Sequence, residues 1–334
     1  MAADRRTYSA VITAAAHYLP EKVVTNAELS QFVETSDEWI RSRTGIGERR
    51  FLEDRPTSFM AIDVARQILD QKQLDPADID LIIVATVTPD MLFPSTACLV
   101  QNEIGASKAW AYDLSAACSG FVYGVVAGSQ CVQSGAHEKV LVIGADKMSA
   151  ILDMEDRNTC VLFGDGAGGV LLERSEAPDT GLLDFELHAD GSGTECLHIK
   201  GGGSLHPATR ETVDDRLHYV RQEGRTVFKF AVTKMSEVSL SLMKRNSLTA
   251  EDLKLFIPHQ ANQRIIDATA ERMNLPPEKV FSNIERYANT TAATIPIAIS
   301  EAQQQGRLEA GDLILLAAVG GGLTWGAALF RWGY

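Results

Sequence analysis

The stretch "LDPADIDLIIVAT", residues 74–86, returns later in the chain as "LTAEDLKLFIPHQ", residues 248–260. The two align without a gap: a leucine, an acidic turn, an aspartate, then an apolar run short enough for a strand covered on both faces. A second echo accompanies the first. Cys118 lies 17 residues before Gly135 and Asn289 lies 17 before Gly306, and each glycine closes a helical pattern that leads into an apolar strand. Self-similarity of this kind is the mark of a duplicated unit. The chain therefore reads as two related halves, residues 1–176 and 177–334, in which Cys118 and Asn289 hold matching strand-to-helix corners. His259 ends the strand that answers residues 81–85.

Working outward, "IDLIIVATV" (79–87), "KVLVIGA" (139–145) and "DLILLAAV" (312–319) are near-continuous apolar runs. They alternate with helical patterns at 58–71, 119–135 and 294–306, which makes the fold α/β. The opening "MAADRRTYSAVITAAAHYLP" carries Arg5 and Arg6 before a short alanine-rich run that stops at His17 and Pro20. That run reads as a first strand rather than a secretion signal. No segment approaches the ~20 apolar residues of a membrane span, so the protein is expected to be cytoplasmic.

The chain has 334 residues, 45% hydrophobic and 22% charged, with a net charge of −13. That balance argues against general nucleic-acid binding, which needs clustered Lys and Arg. The five cysteines (98, 118, 131, 160, 196) are odd in number and widely spaced, a reduced intracellular pattern with neither a disulfide framework nor a zinc site. The histidines show no metal-ligand spacing, and no metal is expected.

In "YDLSAACSGFVYGV" (112–125) Cys118 stands just before a helix. The free N–H groups and dipole at such an end favour a thiolate, although a small buried structural cysteine would fit as well. His259, in "LFIPHQANQRI", could be a structural strand-end residue. Asn289, in "RYANTTAATIP", could be a helix N-cap. "GDGAGG" (164–169) imitates a phosphate loop but is followed by a strand, "GVLLER", and so reads as a tight turn between strands. "VGGGLTWGAALF" (319–330) is either another turn or a place where backbone N–H groups approach a reacting carbonyl. "KGGGS" (200–204) reads as a flexible loop.

Taken together, "TSDEWIRSRTGIGERR" (35–50), "DLSAACSGF" (113–121), "FGDGAG" (163–168), "IPHQANQRII" (257–266), "YANTTAATIP" (287–296) and "GGGLTWGAALFRW" (320–332) resemble the β-ketoacyl-acyl carrier protein synthase III family. The similarity spans nearly the whole chain. It implies a thiolase-like fold, with duplicated β-α-β-α-β halves forming a five-layered αβαβα core. The implied activity is a decarboxylating condensation of an acyl-CoA primer, acetyl-CoA above all, with malonyl-acyl carrier protein. Cys118 would be the acylated nucleophile, His259 and Asn289 would complete a triad, and the N–H groups of Cys118 and Gly321 would form an oxyanion hole. The resemblance further implies that Trp39 and Arg157 flank the CoA adenine, and that Arg43, Thr44, Gly224, Phe228, Ala261 and Asn262 line the CoA path. Arg264 would dock the carrier protein, and Phe93 would close the acyl pocket of the partner in a homodimer. No cofactor is implied, since acyl-CoA is a substrate.

Three positions depart from the commonest family pattern. Ala288 stands for a glycine, Thr291 for the serine of a Thr-Ser pair, and Val319 for a phenylalanine, which leaves primer size and branching open. A thiolase would need a second catalytic cysteine, an elongating synthase a second histidine, and a hydroxymethylglutaryl-CoA synthase a glutamate; Asn289 in its N-T-T context speaks against all three. A relative from secondary metabolism that handles other acyl groups would keep the same triad. A non-catalytic paralogue would usually lose the nucleophile that this chain retains.

Overall fold

The computed structural model describes residues 8–334; Arg5 and Arg6 lie outside the described residues. Two sheets carry the architecture. The first has the strand order Ser9–Tyr18, Gly166–Ser175, Lys139–Asp146, Leu81–Ala85, Trp110–Leu114. Its last three strands run parallel, and Gly166–Ser175 pairs antiparallel with both of its neighbours. The second has the order Leu255–Pro258, Leu313–Gly320, Thr324–Arg331, Gly181–Ala189, with its first pair parallel and the others antiparallel. The two echoed apolar runs are thus the parallel strands Leu81–Ala85 and Leu255–Pro258, each entirely buried. Among the described residues the second sheet has no counterpart to Trp110–Leu114; an isolated parallel bridge between Phe256 and Val280 stands at that edge.

Burial of both strand faces requires helices on both sides of each sheet. Helices Thr57–Lys72 and Thr96–Ile104 cover the outer face of the first sheet, with Met60, Val64, Ile68 and Val100 in one apolar cluster with Ile82 and Leu141. Helices Gly224–Arg245 and Gln263–Arg272 cover the outer face of the second, through Met235, Leu242 and Ile265 against Leu315 and Leu329. Between the sheets lie Gly120–Gln133 and Thr294–Gln304. Their Phe121, Val125, Ile295 and Ile299 share one core with Leu81 and Val142 of the first sheet and Ile257, Leu316 and Phe330 of the second. A helix with sheets on both sides is apolar all round, and both of these helices have that character. The result is the five-layered αβαβα arrangement of the thiolase-like fold.

"GDGAGG" proves to be the start of a strand rather than a turn: Gly166–Ser175 begins inside it. Its glycines serve packing, because a Cβ on Gly168 would lie 2.6 Å from the backbone nitrogen of Ile297 in the central helix. "GGG" (320–322) joins two hairpin strands, Leu313–Gly320 and Thr324–Arg331. No helix among the described residues is long and apolar enough to cross a membrane.

The duplication also corrects one count. Short 3₁₀ turns precede both central helices, Ala117–Ser119 and Thr291–Ala293, and each opens on a residue with positive φ, Ala117 at 47° and Thr291 at 51°. Measured from these turns, Cys118 matches Ala292, and Asn289 lies three residues earlier than its expected place. The equal spacing to the closing glycines arises because Thr294–Gln304 has 11 residues where Gly120–Gln133 has 14. The two side chains still converge, because Asn289 sits in the segment that leads into its turn.

Candidate active site

A cavity of about 700 Å³ opens where the two central helix starts meet, and Cys118, His259 and Asn289 all line it. Cys118 sits in the Ala117–Ser119 turn, where the left-handed φ of Ala117 bends the chain sharply. The end of the Leu313–Gly320 strand presses close behind: a Cβ on Gly320 would lie 2.9 Å from the Cys118 backbone nitrogen, so only glycine fits. Gly320 lines the cavity beside Gly321, whose own place is in the connecting turn.

His259 follows the Leu255–Pro258 strand and is held by its N–H to Ala317 O at 2.8 Å. Its Nδ1 lies 2.7 Å from Thr294 Oγ1, which leaves Nε2 for the cavity. Asn289 is fixed by its N–H to Leu162 O at 3.0 Å and by its Oδ1, which accepts from Thr291 N at 2.8 Å. With the carbonyl oxygen so occupied, the amide NH₂ is the free end, and Asn289 stands close enough to the Cys118 sulfur to favour its charged form.

Burial dominates the electrostatics. It pushes the Cys118 thiol up to about 12, helped by the charge of Asp146 and opposed by the Asn289 hydrogen bond and the cysteine's own backbone. Desolvation thus opposes the thiolate that the nearby helix start favours. Burial likewise carries His259 down to about 3, so the imidazole is neutral near pH 7.

From the cavity outward, Trp39, Arg43, Thr44, Gly224, Phe228, Ala261, Asn262 and Arg264 all line the same space. Asn262 ties the wall together: its Nδ2 donates to Arg43 O at 3.0 Å, and its Oδ1 caps helix Gln263–Arg272 by accepting from Arg264 N at 2.9 Å. The Arg264 guanidinium lies over the Phe228 ring, 5.3 Å from its centre. Arg157 stands over Trp39 at 5.3 Å and donates to Glu34 O. The guanidinium thus faces the indole ring directly. Phe93 is far more exposed, at 84%, beside Leu92 at 82%, and takes no part in this cavity.

Sequence reasoning missed Phe163, Leu197 and Met235 in the wall and the orienting roles of Thr291 and Thr294. Phe163 had a signal, since it opens the "FGDGAG" motif; the others lie in patterns indistinguishable from core. Val319 does line the cavity, so that departure bears on what the cavity holds. Ala288 instead packs with Ile266 and Ile284 in a separate cluster, and the change from glycine is felt as backbone strain at φ 56°. Among the described residues no cluster of His, Cys, Asp or Glu could hold a metal ion.

A thiolase-like fold with a cysteine, a neutral histidine and an oriented amide at the meeting of its central helices defines the condensing, acyl-transferring enzymes. Comparison with known proteins makes the assignment narrower. Residues 112–191 match the family described as 3-oxoacyl-[acyl-carrier-protein] synthase III, and residues 243–332 match its C-terminal part. The β-ketoacyl-[acyl-carrier-protein] synthase III of Chlorobaculum tepidum is 56% identical over 326 residues, 97% of this chain and 99% of that one. The crystal structure of 3-oxoacyl-[acyl-carrier-protein] synthase III from Aquifex aeolicus superposes with a TM-score of 0.89 at 47% identity, covering 97% of this chain and all of that one. A priming β-ketosynthase of the R1128 polyketide pathway superposes at 0.90 with 30% identity, over 98% and 97%. The chain belongs to the β-ketoacyl-acyl carrier protein synthase III family.

Proposed function

We propose that this protein condenses an acyl-CoA primer, acetyl-CoA first among candidates, with malonyl-acyl carrier protein, giving a 3-oxoacyl-carrier protein, CoA and carbon dioxide at the start of fatty acid synthesis. The observation that carries the reading is the convergence of Cys118, His259 and Asn289 on one cavity, with the Asn289 amide aimed at the sulfur.

In the first half-reaction the Cys118 sulfur attacks the acyl-CoA thioester carbonyl. A new C–S bond forms, the old one breaks, and the thiol proton ends on the CoA sulfur, so the exchange consumes no net proton. Cys118 and Gly321 N–H groups support the oxyanion of the tetrahedral intermediate. In the second half-reaction the malonyl thioester oxygen lies against His259 and Asn289. As the bond to the carboxylate breaks and carbon dioxide leaves, the electron pair moves into an enolate whose oxygen receives both hydrogen bonds. With the Thr294 hydroxyl donating to Nδ1, the neutral imidazole carries its proton on Nε2 and serves as a donor. The enolate carbon then attacks the acyl-Cys118 carbonyl, and the released sulfur takes up one proton, as its raised pKa favours.

The same reading places CoA along Trp39, Arg43, Thr44, Arg157, Gly224, Phe228, Ala261 and Asn262, and needs no cofactor. It takes residues 1–176 and 177–334 as the two halves; strand Gly166–Ser175 precedes the division and Gly181–Ala189 follows it. It also takes the protein as a cytoplasmic homodimer. The exposed Met91, Leu92 and Phe93 and the unpaired outer edge of Trp110–Leu114, with Trp110 half exposed, support that assembly. Phe93 would then reach the partner's acyl pocket. A secondary-metabolism relative that handles other acyl groups is the alternative, since it would keep the same triad and Val319 in the cavity wall leaves primer size open.

Intact mass after incubation with acetyl-, branched-chain and longer acyl-CoAs tests the reading: a thioester on Cys118, discharged by malonyl-carrier protein, is expected. No adduct with any acyl-CoA would sink it, and discharge by malonyl-CoA alone would favour the alternative. Arg264→Glu is expected to raise the KM for malonyl-carrier protein by about tenfold, the size of a 1.4 kcal/mol loss at a docking charge. Acylation from acetyl-CoA should be spared; equal loss of both half-reactions would remove Arg264 from carrier docking.

A further inference from the structure

Asp146, the last residue of strand Lys139–Asp146, is fully buried and enters no step described above. Its carboxylate gathers hydrogen bonds from two directions. One oxygen accepts from Val87 N at 2.7 Å, from Thr86 Oγ1 at 3.0 Å, and from the N–H and hydroxyl of Thr88 at 3.2 and 3.1 Å. The other accepts from the Thr291 hydroxyl and from Ala292 N at 3.3 Å. The first set belongs to the segment after strand Leu81–Ala85. The second belongs to the turn that joins Asn289 to the central helix Thr294–Gln304. One buried carboxylate therefore bolts the strand ends of the first sheet to the turn beside the cavity.

That turn is strained where it is bolted. Thr291 holds φ at 51°, a region costly for a β-branched residue and kept only where its surroundings enforce it. Thr291 is also where the Asn289 donor of the cavity takes its orientation. Its N–H donates to Asn289 Oδ1, which turns the amide NH₂ toward Cys118. Its carbonyl oxygen lies 3.1 Å from the Thr294 hydroxyl, whose single proton the mechanism above directs to His259 Nδ1 at 2.7 Å. The departure from serine at 291 is explained as well, since either residue supplies the hydroxyl that Asp146 takes.

We propose that Asp146 is a positioning residue for the decarboxylating half of the reaction, holding Thr291 in its left-handed turn and through it aiming Asn289. This rests on the function proposed above. The two half-reactions separate the idea from a merely structural role. The charge of Asp146 opposes ionisation of Cys118 by more than the Asn289 amide favours it, so losing both gives no net electrostatic reason for acylation to slow, whereas a misaimed donor slows decarboxylation.

The test measures, in single turnover, acylation of Cys118 from acetyl-CoA and discharge by malonyl-carrier protein. The unsubstituted protein is compared with Asp146→Asn, Thr291→Val, Thr291→Ser and the Asp146→Asn/Thr291→Val pair. Asp146→Asn and Thr291→Val are each expected to slow discharge roughly tenfold to a hundredfold relative to acylation, the size of a misplacement near 1 Å. Thr291→Ser, which keeps the hydroxyl, should discharge within about threefold of the unsubstituted protein, a shift well below that loss. The paired variant should be no slower than either single one, because both cut the same link. Discharge at the original rate in Thr291→Val, or equal slowing of both half-reactions, would overturn the proposal. Should Asp146→Asn fail to fold, the Thr291→Val and Thr291→Ser comparison decides it. An unsubstituted protein that takes no acyl group overturns the proposed function and this inference together.

Discussion

Cys118→Ala is expected to abolish the acyl-enzyme and lower overall condensation by on the order of 10⁴-fold or more, the scale on which a covalent nucleophile is lost. The reasoning is local. The sulfur is the only nucleophilic atom offered by the three converging side chains, since His259 is neutral and held at Nδ1 by Thr294, and the Asn289 carbonyl oxygen is occupied by Thr291 N. Alanine is also a conservative choice at this position. The turn Ala117–Ser119 is built from backbone angles and from the close approach of Gly320, neither of which involves the thiol. The variant should therefore fold and keep its cavity. It should also keep its donors, so slow release of carbon dioxide from malonyl-carrier protein is expected without any 3-oxoacyl product. Intact mass and a carbon dioxide assay check the two halves of this expectation separately. An acyl adduct persisting in Cys118→Ala would move the nucleophile elsewhere.

The fold was legible because duplication is written in the sequence twice, once as an apolar strand after an acidic turn and once as a helix closed by glycine. What the spacing could not carry was length. Asn289 and Cys118 stand equally far from their closing glycines only because one central helix is three residues shorter, and no residue pattern marks where a buried helix starts when both of its faces are apolar. The candidate site was legible at Cys118, His259 and Asn289, the polar residues that interrupt apolar runs. It was opaque at Asp146, Thr291 and Thr294. Each of these acts through a partner distant in sequence, 145 residues apart for Asp146 and Thr291 and 35 for His259 and Thr294. The opposing effect on the thiol was hidden for a related reason: a helix start is visible in sequence, but the depth of burial set by two packed sheets is not. The approach of Arg157 to Trp39 follows the same rule, because a sequence names the two side chains but not the distance between them.

The donor pair gives the second large effect. His259→Ala and Asn289→Ala are each expected to lower discharge of acyl-Cys118 by malonyl-carrier protein by about 10²–10³-fold, the range for removing one preorganised donor from a developing oxyanion. Acylation from acetyl-CoA should fall far less in His259→Ala, since that donor does not face the acyl-CoA carbonyl in the mechanism above. It should fall somewhat more in Asn289→Ala, which also removes the amide that favours the charged Cys118 sulfur. The pH dependence distinguishes a hydrogen-bond donor from a titrating acid. Burial holds His259 at about 3 against its usual 6.5, so between pH 5 and 9 the ring neither gains nor loses a proton. Discharge by malonyl-carrier protein should accordingly show no limb near pH 6.5, and a limb there that vanished in His259→Ala would overturn the neutral-donor assignment. The same displacement has a stability consequence of definite sign. Below pH 6.5 the unfolded chain protonates this histidine while the folded protein resists until about pH 3. The folded state therefore loses stability as pH falls through that window, by up to about 1.4 kcal/mol per pH unit. His259→Ala should remove that part of the acid-side slope in urea titrations while lowering discharge, a pairing that a residue used only for packing would not produce.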